Sequence, residues 1–359
     1  MQISSSGRDA GPRNWPVFEH PDFDNHEKIV FAHDAKVGLF TVIAIHDTRL
    51  GPALGGCRMW PYQSADEALT DALRLSRGMT YKNAIAGLDY GGGKGVIIAD
   101  SKEHKSPELL HAFGKTVDAL AGLYITGEDV GLTPADIEEI GKETIHVRGA
   151  KNRSRGDPSP YTALGVFEGM QSALRHRFGS ADVSGRTVSL QGLGNVGFAL
   201  ARLLHQAGAN LVVADINASV VEKATDEFGA RSVDTTDAHK VEADIFAPCA
   251  LGAGLNLVTI PELAAPIVAG SANNQLAEAD DGQLLMSKDI LYAPDYVINA
   301  GGVIALANED IDERVLDADV RAIGETLTTI FERAKEQNAP TQLIADRMAE
   351  ERLMAAGGQ

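Results

Sequence analysis

Apolar and polar positions follow two regimes along the chain. In the first, apolar stretches at residues 29–32 and 38–45 predict strands. Residues 48–59 are rich in Gly and Pro and predict a loop followed by a short strand. Ser64 with Glu67 three residues on has the form of a capping box. Ala68, Leu69, Ala72, Leu73 and Leu75 follow at near-helical spacing, which predicts a helix ending near Gly78. The run Tyr90-Gly91-Gly92-Gly93-Lys94-Gly95 predicts a sharp turn into a short buried strand at 96–99. A helix at 106–123, a strand at 123–126 and a helix opened by Thr133-Pro134 with Glu138 come next. Residues 150–160 hold Lys151, Arg153, Arg155, Gly156, Pro158 and Pro160, and predict a loop and hinge.

The second regime alternates helix 162–177, strand 186–191, helix 196–207, strand 210–215 and helix 218–228. Short apolar runs continue it at 245–247, 267–269 and 296–299. Such alternation is the mark of an α/β fold with a parallel, doubly wound sheet. A long amphipathic helix at 312–338 and a last one at 341–353 close the chain.

Composition narrows the partners. Of 359 residues, 44% are hydrophobic and 23% charged, a globular profile long enough for two domains. No stretch approaches the roughly 18 apolar residues of a membrane span. The polar, Gly/Ser-rich residues 1–14 lack the order of a signal peptide and read as a loose tail, so a cytoplasmic location is expected. A net charge of -18 disfavours nucleic acid and anionic membranes. Cys57 and Cys249 make no disulfide framework and read as small buried hydrophobes, and the ten scattered histidines give no metal site.

Gly192-Leu193-Gly194-Asn195-Val196-Gly197 is a GxGxxG directly after a predicted strand and opening a predicted helix, the context that dinucleotide binding requires. Gly192 and Gly194 permit a tight turn and close approach to a pyrophosphate, and Gly197 permits close helix–strand packing. Asp215, 18 residues beyond Gly197, stands where an acid hydrogen-bonds the adenosine ribose. No arginine follows in Ile216-Asn217-Ala218, so a 2′-phosphate would be repelled and NAD rather than NADP is expected.

Lys82 follows the predicted helix end and Lys94 sits among glycines. A partly desolvated amine with a second ammonium nearby loses its proton more readily and can serve as a base near neutral pH. Taken alone, each lysine is an ordinary solvated residue and Asp129 an ordinary turn residue; beside a nicotinamide module their joint presence points to catalysis. A histidine base of the hydroxy-acid type has no counterpart, since His46, His111 and His146 read as ordinary strand or helix residues. A non-catalytic NAD-binding protein would have no need to keep Lys82, Lys94 and Asp129 together.

The segments at 50–59, 78–83 and 91–94, with Gly127-Glu128-Asp129-Val130-Gly131, 269–276 and 293–302, resemble the leucine/phenylalanine/valine dehydrogenases of the glutamate dehydrogenase superfamily. The resemblance runs from about residue 28 to the C-terminus. It implies an N-terminal α/β substrate and oligomerisation domain at 1–155, a Rossmann-type NAD domain at 156–334, and a C-terminal helix at roughly 335–359 returning to the first. It also implies a homo-oligomer. Lys82, helped by Asn274, would bind the substrate α-carboxylate, Lys94 would activate water, and Asp129 would shuttle a proton at the amino nitrogen. Gly55 and Gly56 would let the backbone approach the substrate, and Thr162 and Asn299 would line the nicotinamide side with Asn195 and Val196 at the phosphates.

The same resemblance bears on the substrate. Glutamate-specific relatives carry lysine where this chain has Leu54 and serine where it has Leu306, so a side-chain carboxylate would be left unpaired, at a cost of several kcal/mol. Val303 adds to an apolar pocket. Gly127 replaces the alanine usual in leucine enzymes and matches phenylalanine enzymes, which enlarges the pocket. A branched-chain amino acid is expected, with an aromatic one as the alternative.

Overall fold

The computed structural model describes residues 17–150 and 157–358. The expected tail at 1–14 and the loop residues Lys151, Arg153, Arg155 and Gly156 lie outside them, as does the expected boundary at 155/156. Strand β1 (Lys28–Asp34) pairs antiparallel with β2 (Leu39–Asp47). Strands β3 (Ala53–Leu54) and β4 (Cys57–Trp60) precede helix α1 (Ala65–Ile85), which returns into β5 (Gly91–Ile98). Helix α2 (Pro107–Asp118), β6 (Tyr124–Ile125) and α3 (Pro134–Ile140) complete this half. The sheet order is β1-β2-β5-β3-β6, and both β3 and β4 run parallel to β5, one beyond the other.

Strand β5 is therefore covered on both faces. Ala68, Leu69, Ala72 and Leu73 of α1 pack with Val42, Ala44 and Val96 on one side. Leu109, Phe113 and Val117 of α2 pack with Ile43, Ile45 and Ile97 on the other. Four local expectations change. Gly91 to Gly95 form no turn; they are strand residues, and a Cβ on Gly92 would stand 2.1 Å from the Thr80 nitrogen, so α1 presses directly onto bare backbone. Helix α1 runs two turns past Gly78, which faces open space, because Thr80, Asn83, Ala84 and Ile85 are buried and hold the last turns down. Only half of the capping box forms: Ser64 Oγ accepts from the Glu67 nitrogen, while the Glu67 carboxylate accepts from the Gln63 nitrogen. At α3 the reciprocal box does form, between Thr133 and Asp136 rather than Glu138.

The second half opens with α4 (Ser159–Phe178). It continues through β7 (Thr187–Gln191), α5 (Asn195–Gln206), β8 (Asn210–Ala214), α6 (Ala218–Phe228) and β9 (Arg231–Ser232). Next come β10 (Ile245–Pro248), α7 (Thr259–Glu262), β11 (Ile267–Val268), α8 (Asp281–Ser287) and β12 (Leu291–Tyr292). All six strands are parallel in the order β9-β8-β7-β10-β11-β12, a doubly wound sheet whose direction of winding reverses between β7 and β10. The apolar run at 296–299 is not a strand. It falls in α9 (Asp295–Ile298), whose Val297 and Ile298 are buried, and the sixth strand is β12 instead.

Helix α10 (Gly301–Ala307) follows. The expected helix at 312–338 is divided at Ala322 into α11 (Glu313–Arg321) and α12 (Ile323–Gln337). The final helix α13 (Thr341–Gly357) returns to the first half. Arg352 donates to the Ala84 carbonyl at 2.7 Å, closing the C-terminal end of α1, and Tyr81 donates to Glu350 at 3.1 Å. Tyr296 on α9 donates to Asp346 on α13, so α13 ties the two halves together.

Candidate active site

Lys94 is the fourth residue of β5 and 6% exposed. With glycines on both sides it is the only side chain at the centre of that strand, and it is ion-paired to Asp129 Oδ2. Asp129 lies in the segment after β6, held against β4 because Cys57 N donates to the Gly127 carbonyl and Met59 N to the Val130 carbonyl. Burial would push the Asp129 carboxyl up, but Lys94 and Arg58 beside it bring it down to about 2.

Lys82 is in the last turn of α1 and reaches across the cleft, donating to Asn273 Oδ1 at 3.3 Å. Burial pulls its pKa down to about 8, the positive charge of Lys94 adding to the effect and Asp295 and Asp129 opposing it. The same Asn273 oxygen accepts from Asn299 Nδ2 at 2.8 Å, so one amide joins the substrate-side lysine to the second half of the molecule. Asn274, expected at this place, is exposed with φ of 50°, and its neighbour Asn273 makes the contact. Asp295, half-buried below, accepts from the Gln275 and Tyr296 nitrogens, and desolvation raises its carboxyl.

Gly55 and Gly56 serve the protein before any ligand: their Cβ atoms would stand 1.9 Å from the Gly93 carbonyl oxygen and 2.3 Å from that of Glu128. Leu54 is fully buried in β3. Leu306 and Val303 lie one turn apart on α10. A Cβ on Gly127 would sit 3.3 Å from one methyl of Leu306, and one on Gly149 2.8 Å from the other. Gly149 N in turn donates to the buried Glu309 at 3.0 Å, fixing this wall.

Gly192 follows the end of β7 with φ of 102°, and a Cβ there would meet the Cys249 backbone at 2.7 Å, so only glycine makes this turn. Gly197 rests on the Gly192 carbonyl, where a Cβ would be 2.0 Å away, while Gly194 faces open space. Helix α5 starts at Asn195 and Val196 with no side-chain cap, leaving its first N–H groups toward the crevice at the winding reversal. Asp215 holds the turn from β8: its carboxylate accepts from Leu193 N at 2.6 Å and Asn217 N at 2.8 Å. Thr162 lies in the first turn of α4 against Gly302, and Asn299 Oδ1 is buried without a hydrogen-bond partner. A turn of bare glycines, an uncapped helix start and an orphaned amide oxygen together fit a dinucleotide. Sequence reasoning gave no role to Arg58 or Asn273, although both stood inside motifs it had singled out.

A dinucleotide crevice facing two lysines and an aspartate defines a nicotinamide-dependent dehydrogenase. The family described as Glu/Leu/Phe/Val dehydrogenase, dimerisation domain, matches residues 26–146, and Glutamate/Leucine/Phenylalanine/Valine dehydrogenase matches 157–230 and 217–355. The leucine dehydrogenase of Geobacillus stearothermophilus is 51% identical over 342 residues, 94% of this chain and 93% of its own length. The phenylalanine dehydrogenase of Thermoactinomyces intermedius is 46% identical over 344 residues, 94% of each. The crystal structure of L-tryptophan dehydrogenase from Nostoc punctiforme superposes with a TM-score of 0.83 at 47% identity, covering 93% of this chain and 97% of that one. The chain belongs to the Glu/Leu/Phe/Val dehydrogenase family and is an NAD-dependent amino-acid dehydrogenase. Among the described residues no helix is long and apolar enough to cross a membrane.

Proposed function

We propose that the chain reversibly deaminates a branched-chain L-amino acid, leucine above the others, to its 2-oxo acid and ammonium. The observation that carries the reading is the side-chain wall: Leu54 and Leu306 are apolar where a pair of polar partners would be needed for a glutamate side chain, and Leu306 closes on Gly127 and Gly149. A carboxylate there would be buried and unpaired, at a cost of several kcal/mol. Identity near one half to enzymes named leucine dehydrogenase supports the same reading. The missing methyl at Gly127 favours a second one, an aromatic substrate, because it widens the wall.

In this reading Lys82 grips the α-carboxylate as an ammonium, with Asn273 beside it. NAD supplies the hydride acceptor, held through Gly192, Gly194, Asn195, Val196, Gly197 and Asp215, with Thr162 and Asn299 along its nicotinamide side. Once the α-hydrogen has left, Lys94 takes a proton from water as it attacks the iminium carbon. Asp129 carries the proton to and from the nitrogen, and its carboxylate form suits it to accept. Residues 1–155 would form the substrate domain and 156–334 the cofactor domain, with 335–359 returning to the first. The protein would act in the cytoplasm as a homo-oligomer assembled through the half described as a dimerisation domain.

The test is NADH formation from a panel of L-amino acids at alkaline pH. Leucine is expected to give the highest kcat/KM and glutamate no measurable rate. Glutamate turnover comparable to leucine would sink the proposal, and a higher kcat/KM for phenylalanine would establish the aromatic reading instead.

A further inference from the structure

Asp129 Oδ2 faces two cations, of which only Lys94 takes part in the proton transfers above. The other is Arg58, on β4 and in register with Val96 of β5, so that it stands one strand over from Lys94. Its Nε lies 3.4 Å from Asp129 Oδ2, buried and making no hydrogen bond. On its far side NH1 donates to Asp71 Oδ2 at 2.9 Å, and that oxygen also accepts from Tyr62 OH at 2.5 Å. Asp71 belongs to α1, so the guanidinium is clamped from behind by an anchored carboxylate while its Nε edge points at the site.

The two cations differ in kind. A guanidinium keeps its charge at every pH the protein meets, whereas the Lys94 amine must give up and regain a proton in each turnover. While Lys94 is neutral, a partly buried carboxyl with no other cation beside it takes up a proton itself, and the pair then has no carboxylate left to accept a proton from the substrate nitrogen. The titratable and charged groups around Asp129 are Lys94 on β5, Lys82 on α1, Cys57 and Arg58 on β4, Tyr124 on β6 and the adjacent Glu128, with Asp71 and Tyr62 behind Arg58. Arg58 is the fixed cation of that set.

We propose that Arg58, held by Asp71 and Tyr62, is a positioning residue that keeps Asp129 a carboxylate aimed at Lys94 through the part of the cycle in which Lys94 is uncharged. The inference rests on the roles assigned to Lys94 and Asp129 above. Removing the guanidinium leaves Asp129 holding a proton more tightly, so the acid limb of activity moves to higher pH.

The experiment is the pH profile of kcat/KM for oxidative deamination in Arg58→Met, Arg58→Lys, Asp71→Asn and Asp129→Asn, with NADH binding as the check on the folded cofactor half. For Arg58→Met the acid limb is expected about one pH unit or more higher, with activity recovering toward the alkaline plateau. Arg58→Lys should restore most of the displacement, and Asp71→Asn should shift the limb in the same direction by less. A limb at its wild-type position in Arg58→Met overturns the proposal, as does an equal loss at every pH in the Met and Lys variants. If Arg58→Met does not fold, an unmoved limb in Asp71→Asn overturns it. Near-normal turnover by Asp129→Asn takes down the assignment of Asp129 and this inference with it. An inactive Asp129→Asn beside an unmoved Arg58→Met removes this inference alone.

Discussion

The stretches at 91–95 and 192–197 are both rich in glycine and have opposite surroundings. In the first, each glycine is enclosed by protein: a Cβ would meet the Asp47 carbonyl oxygen at 2.0 Å from Gly91, the Thr80 nitrogen at 2.1 Å from Gly92, and the Tyr124 ring at 2.8 Å from Gly93. These glycines let a helix and two short parallel strands close onto β5, and the one side chain left between them is Lys94. In the second, Gly192 and Gly197 press on backbone while Gly194 faces nothing within 4 Å. Enclosed glycine is a packing device that aims a neighbouring side chain, and open glycine is room left for something that is not protein.

That contrast breaks most visibly at Gly92. A methyl there meets the Thr80 nitrogen, Thr80 Oγ1 at 2.1 Å and the Ser76 carbonyl at 2.5 Å, all on a buried helix face with no room to move. Gly92→Ala is predicted to cost about 3 kcal/mol or more, at the upper end for overpacking, or to leave no folded protein. Denaturant unfolding measures it. A stability within 1 kcal/mol of wild type, on the order of an ordinary surface change, would mean that α1 does not seat on bare backbone.

Gly194→Ala is the counterpart with a smaller and differently placed effect. Its φ of -63° suits alanine and no protein atom is near, so stability should be unchanged within about 1 kcal/mol. The methyl instead enters the space before the α5 N-terminus, and NADH affinity is predicted to fall about tenfold, equivalent to about 1.4 kcal/mol. Fluorescence titration with NADH reads this directly. Unaltered affinity would show that the open glycine is not where the dinucleotide approaches.

The same contrast explains what the chain's sequence made legible. Hydrophobic period placed most elements of the parallel half, because each strand there is a short apolar run bracketed by an amphipathic helix. It failed at 296–299, where four apolar-rich residues pack as one helical turn, and four-residue windows do not separate the two periods. It also misread 90–95 as a turn, since glycine content is the same whether the chain bends or is pressed flat; what distinguishes the cases is Thr80 and Tyr124, distant in sequence from most of that strand. Lys82, Lys94 and Asp129 were identifiable from their motifs and do gather at one cleft. Arg58 was not, because its part depends on a strand register and on Asp71, neither of which any local pattern encodes.

Between the sealed and the open glycine lies Gly127. A methyl there would touch the Arg148 carbonyl oxygen at 3.2 Å and Leu306 Cδ2 at 3.3 Å, contacts that need the neighbours to give by only a few tenths of an ångström. Leu306 is half-buried on α10 and can yield toward the cleft, so Gly127→Ala should fold with little loss of stability. What it alters is the volume left for the substrate side chain. One methyl-sized change in an apolar pocket is worth about 1–3 kcal/mol of discrimination, so the ratio of kcat/KM for leucine over phenylalanine is predicted to rise by roughly tenfold. Steady-state rates with the two amino acids decide the matter. A ratio that stays constant would place the side-chain wall elsewhere than between Gly127 and Leu306, and would withdraw the observation on which the choice between aliphatic and aromatic substrates turns.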